Sequence, residues 1–501
     1  MRFILYALAL DEWAVESING VSPRLLYIMD PACGSGTFLI EAMKLITYSV
    51  LHPKKAQLKK TGNVKDYVQE WFQPNSENKN IHNRWAREFA YGIDDNDDLV
   101  MATKVNMILH GDGNANIEKA DGLADFERYH RDRARVKNVN PNHPYKWPRN
   151  EQFDCIISNP PFSLKEDPRT LANYATRFAY AEKKNSENLF IERWYQFLKE
   201  GGRLGVVLPD SVFDTNENLY IRTFLYRFFH IKAVVSLPQV AFQPYTPTKT
   251  SLLFAVKKTN QEVDKWDAAW RKAANEYGKL RQNDIIRFVL TNDRIRNGLI
   301  DVANRAEVEW YPATNLLSGV TLSHAVRDQL IGGTNDSPGL KKRLAGLLAD
   351  LGAFLADATL ANWSNEAKKA ALATLTRLLR DRLTPAVAGL QLPELVEAAY
   401  DEIVEASELN FTEDPKGKPY CNSWWCFAEV AGQKEFDHPI FFAEAGHVGY
   451  KRTTRHPEGI EQPNDLFQTD GHGNVLIDTT NPQKILDHLR TKKFFFASQK
   501  N

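Results

Sequence analysis

Cysteine, net charge and long apolar runs are all scarce in this chain of 501 residues, and each scarcity excludes a class of protein. Four cysteines (Cys33, Cys155, Cys421 and Cys426) are too few for a disulfide framework and point to a reducing, cytoplasmic setting. No stretch is apolar and long enough to span a membrane, and the run from Phe3 to Leu10 is too short for a secretory leader. Lys and Arg number 63, matched by 63 Asp and Glu, so the basic excess of a protein that grips nucleic acid alone is missing. There is no Gly-x-Gly-x-x-Gly turn and no phosphate-loop lysine, which argues against NAD and ATP. No internal repeat is visible. The length predicts two to four domains, and a hydrophobic content of 43% supports real cores.

What the chain does have is a turn of unusual chemistry. Asn159-Pro160-Pro161-Phe162 closes the apolar run Phe153 to Ile157. A planar exocyclic amine is a poor nucleophile because its lone pair is delocalised into its ring. The side-chain carbonyl of Asn159 suits one amine hydrogen and the main-chain carbonyl of Pro160 suits the other. Held that way, the nitrogen turns pyramidal and its lone pair is freed. Phe162 can stack on the ring. Proline supplies fixed acceptors without an added donor.

Upstream, Asp30-Pro31-Ala32-Cys33-Gly34-Ser35-Gly36-Thr37 follows the apolar run Leu25 to Met29 and leads into a helical pattern from Phe38 to about Leu51. Strand, glycine turn and helix in that order let backbone approach a ligand. Asp30, at the strand end, suits a ligand with a positive amino group. The next strand, Phe89 to Ile93, ends in Asp94, where an acid accepts from ribose hydroxyls. Asp121 follows a third strand at Ala115 to Ala120 and is placed to accept from an adenine amine. The fourth strand delivers Asn159. Runs at Gly202–Pro209, Ile231–Leu237 and Ser251–Val256 predict strands five to seven, with helices at Leu99–His110, Ser186–Lys199 and Leu219–Phe229. The alternation predicts an α/β fold: a Rossmann-like, mostly parallel sheet of seven strands, with ligands outside the carboxyl ends of the strands.

With these motifs in this order, the chain resembles the N6-adenine DNA methyltransferases, specifically the modification subunit of type I restriction-modification systems. The resemblance rests on Asp30 to Leu39, Gly92-Ile93-Asp94, Asp121-Gly122-Leu123 and Asn159 to Phe162. Val206 to Pro209 and the stretch from Val234 through Leu253 add to it, with a fainter echo at Pro439 to Phe442 and Gly449-Tyr450. It implies a class I methyltransferase sheet. It also implies S-adenosyl-L-methionine at Asp30, Gly34, Ser35, Gly36, Thr37, Asp94 and Asp121, and a flipped adenine at Asn159, Pro160, Pro161 and Phe162. DNA, a specificity subunit and a restriction subunit are the implied partners, with no membrane. The neutral net charge then assigns much of the DNA affinity to a partner.

Two departures from the family stand out. Only Met1 to Met29 precede Asp30, without the family's helical domain or its aromatic-Thr-Pro element, so a chain truncated at its N-terminus is expected. Asp30 and Asp94 lie 64 positions apart, where about 20 is the pattern, so His52 to Trp85 reads as an insertion. The expected organisation is a methyltransferase domain over 1–260, a mixed connection over 261–332 and a mostly helical C-terminal region over 333–501, whose stripe from Leu340 to Leu355 suits an internal bundle or a specificity subunit. Basic residues in Arg131–Arg149, and Arg169, Arg177, Lys183 and Lys184 after the turn, are candidate phosphate contacts. Cys33 is not expected to act as a nucleophile. No metal is expected, although Cys421, Cys426, His438 and His447 are loosely spaced like ligands. RNA guanine-N2 methylation, protein glutamine methylation and a non-catalytic assembly role are the alternatives.

Overall fold

Run by run, the apolar segments pair into one sheet. This is a computed structural model, and it describes residues 1–19, 24–53, 63–72, 83–111, 116–130, 134–139, 148–162, 174, 177–178, 180–181, 185–243, 246–280, 423–452 and 459–491. The strands of the sheet are β1 (Ile28–Asp30), β2 (Ala90–Asp94), β3 (Asn116–Lys119), β4 (Phe153–Ser158), β5 (Leu198–Pro209), β6 (Phe229–Ser236), β7 (Thr250–Lys257) and β8 (Phe441–Glu444). Their order is β3-β2-β1-β4-β5-β7-β6-β8. The first five run parallel, and β7 enters antiparallel between β5 and β6. The expected mostly parallel α/β sheet is therefore present, with an eighth strand added.

Helices longer than one turn are α1 (Arg2–Ala7), α2 (Leu10–Ile18), α3 (Thr37–Leu51), α4 (Asn63–Trp71), α5 (Asp97–Leu109), α6 (Ser186–Phe197), α7 (Leu219–Phe228), α8 (Asn260–Leu280), α9 (Ser423–Ala431) and α10 (Ile485–Leu489). Central strand β1 is buried at every position and β4 at nearly every one, as parallel strands covered on both faces must be. By contrast β6 alternates buried and half-buried residues, which marks its position towards the edge. The chain winds outward from β1 to β3, then crosses back to place β4 on the other side of β1. Ligands of such sheets bind at a reversal of this kind, here the carboxyl ends of β1 and β4.

The first eighteen residues belong to the core. Leu8, Leu10, Ala14, Val15 and Ile18 are fully buried. Gly205 of β5 makes room for α1, because a Cβ there would stand 2.6 Å from Leu8 Cδ1 and 2.9 Å from Ile4 Cγ2. Buried Arg203 donates to the Leu8 carbonyl (2.6 Å) and lies 4.0 Å over the Trp13 ring. Arg490, just past α10, reaches back to Asp11 (2.9 Å), Glu12 (2.7 Å) and the Tyr6 carbonyl (2.8 Å). The expected insertion carries α4, whose Tyr67 hydroxyl accepts from the Leu25 amide just before β1 (3.1 Å). Trp85, in a stretch too polar to interpret from sequence, is fully buried and donates to Thr47 (2.8 Å).

The chain divides into two compact units, residues 1–263 with 438–501, and residues 264–437. This differs from the expected organisation. After His438 the described chain returns to the sheet, with β8 pairing parallel to β6 from Ala233↔Phe441 to Ser236↔Glu444. The faint echo at Pro439 to Phe442 and Gly449-Tyr450 thus falls on β8 and on β9 (Val448–Lys451), which pairs with β10 (Ile460–Asn464). Four residues behind a proline, with Phe442 69% exposed, carry too little strand pattern to be read without their partner. In the second unit Trp266 and Trp270 are buried, and Trp266 meets Phe436 edge-on at 5.2 Å. The helices expected between 340 and 403 lie outside the described residues. No described helix is long and apolar enough to cross a membrane.

Candidate functional site

Asp30 ends β1, and Asn159 directly follows the end of its neighbour β4. Asp30 is 1% exposed. Its Oδ1 accepts from the Ser158 hydroxyl (2.7 Å) and from the Ala32 amide (3.1 Å). Its Oδ2 is buried with no hydrogen-bond partner among the described residues. Burial pushes the carboxyl up to about 7, against the opposing pull of the Ser158 and Ala32 hydrogen bonds. Asn159 Oδ1 is likewise buried and unpartnered. Two orphaned acceptors at the ends of adjacent strands are costly unless a donor arrives, because a buried polar group without a partner forfeits its hydration.

The glycine turn is tied to β2 and to α5. Gly34 adopts φ +53° and donates its amide to Asp94 Oδ2 (2.8 Å), while its carbonyl accepts from Thr103 of α5 (2.6 Å). Gly36, at φ +77°, caps α3, and a Cβ there would strike Thr103 Cγ2 at 2.5 Å. Ser35 and Thr37 are exposed and share a hydrogen bond of 3.0 Å. The other oxygen of Asp94 accepts from the Asn96 amide (3.0 Å).

Asp121 stands two residues beyond β3. Its Oδ1 accepts from the Leu123 amide (2.8 Å) and its Oδ2 from the Tyr174 hydroxyl (2.9 Å). Each oxygen keeps a second lone pair for a ligand. Fully buried Arg193 of α6 holds the following loop through the carbonyls of Leu123 (3.0 Å) and Ala124 (2.7 Å). Gly122 packs on the turn itself: a Cβ would lie 2.2 Å from the Pro31 carbonyl oxygen. Gly122→Ala is expected to force these two backbones apart at a cost of about 1–3 kcal/mol, read as a lower denaturant midpoint. An unchanged midpoint would mean that the two loops do not touch in solution.

Beyond Asn159, Pro160 is buried, Pro161 exposed and Phe162 half-buried. The Pro161 carbonyl accepts from Ser186, the first residue of α6 (3.3 Å). Asp30, Gly34, Ser35, Gly36, Thr37, Asp94 and Asp121 therefore gather at the carboxyl ends of β1 to β3, next to Asn159, Pro160, Pro161 and Phe162 at the end of β4. Ser158, Thr103, Tyr174 and Ser186 support this arrangement and were not singled out from sequence. Only Ser158 carried a signal, through its place beside Asn159.

The candidate phosphate contacts Arg177 and Arg149 fall elsewhere. Arg177, a candidate phosphate contact, is 3% exposed, paired with Asp125 and set 4.9 Å over the Tyr174 ring. Arg149 is 2% exposed and lies 4.4 Å over the Tyr195 ring. Neither faces a phosphate. The guanidinium of Arg149 is buried against an aromatic ring instead. Arg169, Lys183 and Lys184 lie outside the described residues. Burial pushes the Cys33 thiol up, which opposes a thiolate nucleophile. Cys421 lies outside the described residues, His438 bonds the Ile231 carbonyl (3.0 Å) and His447 faces Asp465 (3.6 Å). Among the described residues no three His, Cys, Asp or Glu side chains stand together as metal ligands.

Comparison with known proteins follows the same span. The family model described as N-6 DNA Methylase matches residues 15–295. The methylase subunit of the type I restriction enzyme EcoEI from Escherichia coli is 27% identical over 295 residues, covering 58% of this chain and 50% of that one. The MjaVII methylase subunit of Methanocaldococcus jannaschii, also of a type I restriction enzyme, is 25% identical over 263 residues, covering 50% of this chain and 36% of that one. The crystal structure of the type I restriction enzyme EcoKI M protein aligns with a TM-score of 0.32 at 21% identity, over 51% of this chain and 44% of that chain. The chain spans half or less of the length of these two sequence relatives. Since the matched span takes in the glycine turn, the strand-end acids and the Asn-Pro-Pro-Phe turn, and more than half of all residues, the chain belongs to the N-6 DNA methylase family.

Proposed function

We propose that this chain transfers a methyl group from S-adenosyl-L-methionine to N6 of adenine in DNA, as the modification subunit of a type I restriction-modification system. The observation that carries the reading is the pair of buried, unpartnered acceptors, Asp30 Oδ2 and Asn159 Oδ1, at the ends of adjacent strands. The first fits an ammonium and the second an amine hydrogen. The residues present therefore fit the cofactor. Asp30 holds its amino group, Asp94 its ribose hydroxyls and Asp121 its adenine amine, and the glycine turn from Gly34 to Thr37 lies along it. The first-turn amides of α3 carry partial positive charge and suit its carboxylate.

When bound, the cofactor supplies an electrophilic methyl group on a sulfonium. The work left to the chain is mainly positional. Asn159 Oδ1 and the Pro160 carbonyl accept the two N6 hydrogens, Pro161 fixes the turn and Phe162 stacks on the base. The N6 proton leaves after transfer, so no strong general base is required. The adenine must be flipped out of its duplex to reach this turn. Net charge zero assigns sequence readout and much of the DNA affinity to a specificity subunit, with a restriction subunit as a further partner. We assign the methyltransferase domain to residues 1–260 together with the return that begins at His438, and a connecting or assembly role to the residues between. Three buried free thiols suit the cytoplasm.

The test is methyl transfer from labelled cofactor to DNA, RNA or protein, with and without the neighbouring specificity protein. Label in N6-methyladenine of DNA is the expected result. Label confined to RNA guanine or protein glutamine would replace this reading, and a chain that binds no cofactor would be an assembly subunit.

A further inference from the structure

The hydrogen bond between Ser158 and Asp30 joins the two halves of the site. Ser158 is fully buried at the last position of β4, and its hydroxyl donates to Asp30 Oδ1 over 2.7 Å. The next residue is Asn159. Asp30 thus meets the glycine turn through Ala32 and the Asn-Pro-Pro-Phe turn through Ser158, both on one oxygen. Its second oxygen is buried with no partner among the described residues. The carboxylate is a junction, with two donors on one oxygen and none, among the described residues, on the other.

We propose that Ser158 is a positioning residue that couples the two subsites: an ammonium docking on Asp30 Oδ2 strengthens the Ser158 hydrogen bond and so pins the strand end that presents Asn159 to the target amine. The coupling rests on the cofactor reading above. Its physical basis is charge. A hydroxyl donates more strongly to a carboxylate than to a neutral carboxyl, and a cation beside Oδ2 keeps the group ionised. Burial leaves the carboxyl only partly ionised near neutral pH in the free protein, so a bound cation raises the ionised fraction. Ser158 touches neither ligand in this scheme. Its effect passes through Asp30 on one side and the β4 backbone on the other.

The experiment is amide hydrogen exchange of the full chain at Asn159 and Phe162, the only two amide hydrogens in a turn that holds two prolines. It is run free, with S-adenosylhomocysteine and with 5′-methylthioadenosine, which keeps the adenosine and lacks the amino-acid portion. In the unmutated chain S-adenosylhomocysteine is expected to slow exchange at these amides about tenfold, and 5′-methylthioadenosine to leave them unchanged within about twofold. Ser158→Ala is expected to bind S-adenosylhomocysteine about tenfold more weakly and, at saturation, to show no added protection of the turn. Equal protection by 5′-methylthioadenosine, or full protection in Ser158→Ala, would overturn the coupling while leaving the cofactor reading intact. Failure of the unmutated chain to bind S-adenosylhomocysteine would overturn both. The comparison of the two ligands needs no variant, so it stands even where Ser158→Ala folds poorly.

Discussion

Asn159→Ala is expected to lower the rate of methyl transfer about 10²- to 10³-fold and to leave the affinity for S-adenosylhomocysteine unchanged. The magnitude is that of removing one preorganised hydrogen-bonding group aimed at the reacting centre. Asn159 Oδ1 is buried and unpartnered, so its lone pairs are oriented before the amine arrives and need no reorganisation. Alanine removes that acceptor and leaves the turn, whose backbone is fixed by Pro160, Pro161 and the Ser186 hydrogen bond. The variant should also be no less stable, since it removes an unsatisfied buried atom. Single-turnover kinetics beside calorimetric titration separate rate from affinity. A loss of cofactor affinity equal to the loss of rate would show that Asn159 belongs to the cofactor half of the site.

The second large effect is expected at Asp30, and it opposes function to stability. In the unfolded chain an aspartate ionises near 3.9, whereas in the folded chain burial holds Asp30 at about 7. Between those two values the folded state binds more protons than the unfolded state. Stability from this group is therefore full below about pH 4, falls as pH rises towards about 7 and is flat above it. At pH 8 the ionised carboxylate is a destabilising group, on the order of a few kcal/mol before relaxation of its surroundings. Asp30→Asn keeps an acceptor for Ser158 and Ala32 and removes the charge. Its melting temperature at pH 8 is expected to equal or exceed that of the unmutated chain. Its ligand binding is expected to collapse. The unmutated chain should lose affinity for S-adenosylhomocysteine about tenfold for each pH unit below about 7, as the carboxylate that meets the ammonium is protonated. The variant should bind weakly, with an affinity that is flat from pH 6 to 8. A steep fall retained in Asp30→Asn would assign the pH dependence to another group.

The parts of this site that were legible from sequence are those set by local chemistry. An apolar run followed by Asp-Pro-Ala-Cys-Gly-Ser-Gly-Thr can hardly fold other than as strand, turn and helix, and α3 begins at Thr37 as that pattern demands. The strand-end acids could be placed because period and punctuation mark the carboxyl ends of β1 to β4 within one residue. Contacts made across the sheet were not legible. Tyr174 meets Asp121 across 53 positions and Ser158 meets Asp30 across 128. No window of sequence holds both partners. Arg177 and Arg149 show the opposite error, since a basic residue among aromatics reads the same whether its guanidinium lies under solvent or under rings. The strand β8 escaped because an edge strand of four residues takes its identity from β6 rather than from its own pattern.

The return of the chain at His438 also fixes the order in which the molecule can be made. Seven strands have left the ribosome once Lys257 has, yet the eighth begins at Phe441, and Arg490, which grips Asp11 and Glu12, comes later still. Until then the outer edge of β6 lacks β8, and α1 and α2 are held by Arg203 without the Arg490 ion pairs. A nascent chain thus carries an almost finished sheet with one bare edge through the synthesis of the whole second unit, about 10–40 s at ordinary elongation rates. Unpaired strand edges are where partly made proteins associate wrongly. The late strand acts as a clasp, and it ties completion of the methyltransferase fold to completion of the segment that the chain encloses.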